Sequence, residues 1–150
     1  MDKLVTFTDL SNYIQNVNKW LELAYYRIDI LDEKTKYLLQ LSNCKNQIIE
    51  SVANVNATNP TFKTFLSKMK QELSNFTLED NYSNIKSFEG VLSTLQLEYS
   101  VVIILYFCGD DDTKHVKDYF TKSLELIETV KKIYKQLSNI DYSLETLLRI

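Results

Sequence analysis

The stretch Tyr99–Val116, YSVVIILYFCGDDDTKHV, reads either as a β-strand followed by a site or as one helix ending and another beginning. The β-branched run Ser100–Leu105 favours a strand on local propensity. Two observations reject that. No second strand-like run exists to pair with it, and a lone strand leaves its backbone groups without partners. Upstream, Ile85, Phe88, Leu92, Leu95, Tyr99, Val102 and Tyr106 recur at steps of three or four, the period of a helix face. The segment is therefore a helix. From Val101 onward it is apolar all round, which predicts a fully buried end.

The thiol, the three acids and the single histidine that follow invite a metal or catalytic reading. Asp110, Asp111 and Asp112 are consecutive, whereas a calcium loop spaces its acids at alternate positions and closes with a distant Glu. Cys108 and His115 supply two soft ligands where structural zinc takes four, and nothing in the sequence brings Cys44 to them. The pattern fits punctuation better. Gly109 suits the left-handed residue that stops a helix, and an aspartate caps the next one with its neighbours near the positive dipole end. Val116, Phe120, Leu124, Ile127, Val130, Ile133 or Tyr134, and Leu137 then mark a further helix. The tetrapeptide SNID is expected to break it before a short terminal helix, YSLETLLRI.

Working outward to the N-terminus, Leu10, Ile14, Val17, Leu21, Ala24, Ile28 and Leu31 follow alternating steps of four and three. This is a heptad stripe, written with Leu10 at position d and Ile14 at position a. The pattern resumes at Leu38, Leu41, Ile48 and Val52, with polar Thr35 at the expected apolar position, which one helix accommodates by a phase slip. Either one helix runs from about Thr8 to about Ala53 or two helices meet near Asp32–Lys36. Thr6 or Thr8 caps the start, and Thr6 with Asp9 has the spacing of a capping box. Trp20 is a rim residue or an interface anchor. Further on, Asn59 caps a helix whose first turn holds Pro60 and whose apolar side is Phe62, Phe65, Leu66, Met69, Leu73 and Phe76. Thr77 is expected to cap the third helix, with Glu79 and Asp80 in its first turn. Gly90 inside that helix allows either a close approach or a kink.

The totals agree with this picture. The chain has 150 residues, 45% apolar and 25% charged, with two glycines and one proline, too few for the turns of a sheet protein. Together these predict one all-α domain over residues 1–150, an antiparallel bundle of four to six helices with a long heptad-patterned first helix. A net charge of −3 and a pI of 5.2 argue against a nucleic-acid partner, which needs a basic face. The lysines between Lys114 and Lys135 are interleaved with acids and read as a solvated helix face. The longest apolar run is short for a membrane span and Glu98 interrupts its extension. The N-terminus has no long apolar segment, so a reducing cytoplasm is expected and the sequons at Asn56, Asn75 and Asn81 are idle. No GxSxG, HExxH, P-loop or GxGxxG occurs, and the ten tyrosines and seven phenylalanines sit at helical spacing. Catalytic, cofactor and metal residues are accordingly none.

The segment FLSKMKQELSNF (Phe65–Phe76) resembles part of the formin homology 2 domain, whose pattern F-L-x-x-A-x-x-E-L-x-x-L is matched by Phe65, Leu66, Glu72 and Leu73. YFCGDDD (Tyr106–Asp112) is similar to that family's Y-F-G-E-D turn with Cys108 inserted, and DYF (Asp118–Phe120) follows at a comparable distance. The gap between the two segments is longer here, and the G-N-Y-x-N signature, the lasso and the knob are absent. The resemblance thus covers only the C-terminal coiled-coil and post portion, roughly Phe62–Leu137. It implies an actin-associated helical fragment without the parts that form the family's dimer.

The function expected from these features is a non-enzymatic helical protein-interaction module, with actin or a helical subunit as partner. Two other readings fit the same helices. One is a small viral or parasite protein that binds a host partner in a groove, as Bcl-2-like immune modulators do. The other is an obligate subunit of a larger helical complex that buries the Leu10–Leu31 stripe.

Overall fold

A computed structural model of the protein describes residues 6–106 and 111–149, and for 111–114 the backbone alone. The described residues form four helices and no strand: α1 (Phe7–Asn54), α2 (Pro60–Asn75), α3 (Tyr82–Tyr106) and α4 (Asp111–Leu148). The all-α reading is correct, and Val101–Tyr106 is helix.

Local chemistry explains three of the four helix starts. At the start of α1 the Thr6 backbone N–H donates to Asp9 Oδ2 at 3.2 Å, while Asp9 N–H donates to Thr6 Oγ1 at 3.1 Å. This reciprocal box satisfies two donors that have no partner inside the helix. Asn59 Oδ1 accepts from Thr61 N–H at 2.9 Å and Phe62 N–H at 3.1 Å, with Pro60 in the first turn of α2. The third cap differs from expectation. Asn81, not Thr77, opens α3, and its Oδ1 accepts from Asn84 N–H at 2.7 Å. The Asn84 side chain reaches back to Glu79 N–H (2.8 Å) and to the Thr77 carbonyl (2.9 Å), which holds Thr77–Asn81 as a connection. Glu79 and Asp80 therefore precede the helix. Asparagine wins because its amide both donates and accepts, so two of them tie the loop and the cap together.

The contacts divide the chain into two units, one of residues 36–131 and one of residues 1–35 with 132–150. In the larger unit each helix meets the next in antiparallel order. The Lys45 ammonium donates to the Phe76 carbonyl, linking α1 to the end of α2. Phe65 of α2 stacks on Tyr99 of α3 at 6.4 Å between ring centroids, and Lys68 pairs with Glu98 at 3.6 Å. Tyr99 meets Phe120 of α4 at 6.0 Å, and Lys131 bonds Glu89 at 3.1 Å. Ser51 and Asn54 of α1 share a small cavity with His115 and Tyr119 of α4, so the circuit of four closes. This up-down-up-down arrangement buries Leu41, Ile48, Phe62, Met69, Leu73, Ile85, Phe88, Leu92, Phe120 and Ile127 completely. Gly90 has no atom within 4 Å of where a Cβ would lie, so no close approach requires it.

In the smaller unit the described residues belong to α1 and α4. Arg27 pairs with Asp141, and the Lys34 ammonium lies 5.1 Å from the Tyr134 ring centroid, so the two segments run antiparallel. On α4, Ile133, Leu137 and Ile140 are buried and Leu144 and Leu147 half-buried, a stripe that passes straight through SNID. The expected break does not occur. Ser, Asn and Asp cost only tenths of a kcal/mol each in a helix, about 0.5 apiece, and Ile140 is in phase for burial. The alternative of two helices meeting near Asp32–Lys36 is likewise resolved in favour of one. Thr35 Oγ1 bonds the Leu31 carbonyl at 3.0 Å within the continuous helix.

Candidate functional site

Most of the acidic turn lies outside the described residues, from Phe107 to Asp110 and including the side chains of Asp111 and Asp112. His115 is exposed beside Tyr119, Ser51 and Asn54, in a recess of about 190 Å³. Cys44 is fully buried in the larger unit, among core residues of α1. Among the described residues no three His, Cys, Asp or Glu side chains gather as metal ligands would.

The titratable groups that depart from ordinary behaviour do so for structural reasons. The Glu89 carboxylate, by hydrogen bond and by charge, holds Lys131 above the usual lysine value. Loss of water lowers Lys45, whose ammonium caps the carbonyl end of α2. Burial pushes the Tyr99 phenol upward. Each sits between helices and orders them. The Ser123 hydroxyl is wholly buried with no hydrogen-bond partner among the described residues.

The surface that stands out is α1 in the smaller unit. The heptad spacing serves core and interface alike; in the structure Leu10, Ile14, Val17, Leu21 and Ile28 of that stripe are 38–53% exposed, Ala24 and Leu31 are half-buried, and Phe7 before them is 87% exposed. The face that packs is a different one: Ile30 and Lys34 are buried, and Trp20, Leu23 and Arg27 are half-buried. At 100° per residue that face lies about 110° around the helix from the heptad seam. It continues in the same three-and-four spacing through Tyr37, Leu41, Cys44, Ile48 and Val52. The apparent phase slip at Thr35 is therefore a change in which face carries apolar residues, not a change in the helix. Sequence reading missed the packed face because two of its positions are cations. Arg27 is accepted there by Asp141, and the buried Lys34 has its ammonium over the Tyr134 ring. Trp20 is half-buried, at the edge of this packing.

A second apolar surface is the end of α3. Leu97, Val101, Ile104, Leu105 and Tyr106 are 44–80% exposed, so the expectation of a fully buried end is wrong. The bundle has neighbours for one side of α3 only, and the side with Phe88, Leu92, Leu95 and Tyr99 takes them. With 25 residues and a mean hydropathy of 1.4 over its most apolar window, α3 passes the length and composition test for a membrane-crossing helix. Of that window 22% is buried, and the buried stripe, the Phe65–Tyr99 stacking and the Glu98–Lys68 pair join the helix to the bundle on that side.

Comparison with protein families, with curated proteins and with solved structures gives no match to this chain. In the segment that resembles the formin domain, Leu66 and Leu73 are buried and Phe65 stacks on Tyr99, so those positions serve the bundle.

Proposed function

We propose that this chain is a non-enzymatic interaction module that docks a helical protein partner on the exposed heptad face of α1. The observation that carries this reading is the mismatch between pattern and burial. Leu10, Ile14, Val17, Leu21 and Ile28 repeat at the spacing that helix pairs bury, and they stand 38–53% exposed. Isolated exposed apolar side chains are ordinary, whereas an aligned row of them marks a surface that another molecule covers.

The test replaces Ile14 and Leu21 by Asp together. At high dilution the purified variant keeps its helical circular dichroism and its unfolding midpoint, because neither residue is packed against the rest of the chain. A photoreactive residue at Val17 gives a discrete cross-linked product in cell extract, and the double substitution abolishes it. A variant that unfolds would show the stripe to be core and end this reading.

The formin resemblance extends the proposal to actin as the partner. Its support is the match at Phe65–Phe76 and Tyr106–Asp112. Actin assembly that is unchanged by tens of micromolar of the chain removes actin and leaves the docking face.

A further inference from the structure

We propose that the occupant of the α1 face is a second copy of this chain, paired seam to seam over Phe7–Ile28; this rests on the reading of that face as an interface. Three observations point to a self-matching partner. The first is area. Phe7, Leu10, Ile14, Val17, Leu21 and Ile28, with Tyr13 and Tyr25 beside them, are exposed by 38–87%. They leave on the order of 800 Å² uncovered, which is one partner's share of a stable interface.

The second is charge. Within Phe7–Leu31 the charged residues Asp9, Lys19, Glu22 and Asp29 fall at positions c, f, b and b, away from the seam. Its flanks hold Ser11, Tyr13, Asn18, Trp20 and Tyr25, and the one flanking cation, Arg27, is already paired with Asp141. A copy therefore meets its like without repulsion, while a charged partner finds nothing to answer it.

The third is the space around the seam. Arg27 lies by Asp141 and Lys34 by Tyr134, so the two helices keep a register in which Leu148 falls opposite Trp20. α4 packs on the face of Arg27, Ile30 and Lys34, away from the seam residues Leu10, Ile14, Val17 and Leu21. A copy can approach there without displacing a packed residue.

The stripe from Phe7 to Ile28 is centred near Val17, so Val17 meets its counterpart whether the two copies run parallel or antiparallel. The chain of 150 residues is sedimented at tens of micromolar. The expected species has twice the chain mass, and Ile14→Asp with Leu21→Asp weakens association by roughly 100-fold or more, since each copy would bury unpaired carboxylates. In a Cys108→Ser background, Val17→Cys is oxidised to a covalent dimer, whereas Lys19→Cys, on the outward face, is not in the same time. A folded chain that sediments as a monomer at these concentrations overturns the proposal, as does equal cross-linking at the two positions. A monomer whose Val17 photo-product contains a different protein overturns self-pairing alone and leaves the docking face in place. Stripe substitutions that unfold the monomer end both.

Discussion

Phe120 and Leu21 are both apolar residues on helices with apolar side chains at steps of three and four, and they end in opposite environments. Phe120 is wholly buried where four helices close on one another, while Leu21 is 39% exposed where α4 is the one other helix of its unit among the described residues. A helix in a ring of four has neighbours on two sides and buries a broad face. A helix with one neighbour buries a single narrow stripe, and any second stripe is left outside. The number of neighbours, and not the strength of the heptad pattern, decides what becomes core.

The comparison breaks most directly at its extremes. Phe120→Ala should cost about 3–5 kcal/mol in urea unfolding, because the ring is fully enclosed and its contacts with Tyr99 vanish. A loss under about 1 kcal/mol would mean that the larger unit is not packed as described.

The next effect is alkaline. Burial keeps the Tyr99 phenol neutral above its ordinary value of 10.0. In the unfolded chain it ionises near pH 10, so over that range the folded state holds more protons. Stability is then fully present below about pH 10 and declines as the pH rises toward the folded value. Unfolding midpoints followed from about pH 8 to pH 11 should show this fall, and Tyr99→Phe should flatten it. An unchanged slope in the Phe variant would locate the effect elsewhere.

Smaller still, Asn59→Ala should remove about 1 kcal/mol by freeing the Thr61 and Phe62 N–H groups at the start of α2, read as a lower urea midpoint. At the bottom, Leu21→Ala should change the stability of the monomeric chain by no more than about 0.5 kcal/mol, measured at high dilution. A loss near that of Phe120→Ala would erase the distinction between the two regions.

The candidate surface was half legible. The heptad row from Leu10 to Leu31 was visible at once, but its exposure was not, because the same row serves core and interface alike. The face that does pack was hidden by Arg27 and Lys34, since a cation at a core spacing looks like a break until Asp141 and the Tyr134 ring are seen beside it. The end of α3 misled in the other direction. An apolar surface all round implies burial all round only if the fold supplies enough neighbours, and here it covers one side.

Amino-acid order alone determined that this protein is helical, where α1 and α2 begin, and that Val101–Leu105 is not a strand. Those outcomes depend on side chains within a turn or two of each other: Thr6 with Asp9, Asn59 with Pro60, and rows at steps of three and four. Only the tertiary structure decided that Asn81 and not Thr77 opens α3, that α4 continues through SNID, and which of the two faces of α1 is covered. Each of those turns on partners far away in the chain or on the burial they provide, and a local pattern holds no information about how many helices will come to lie against it.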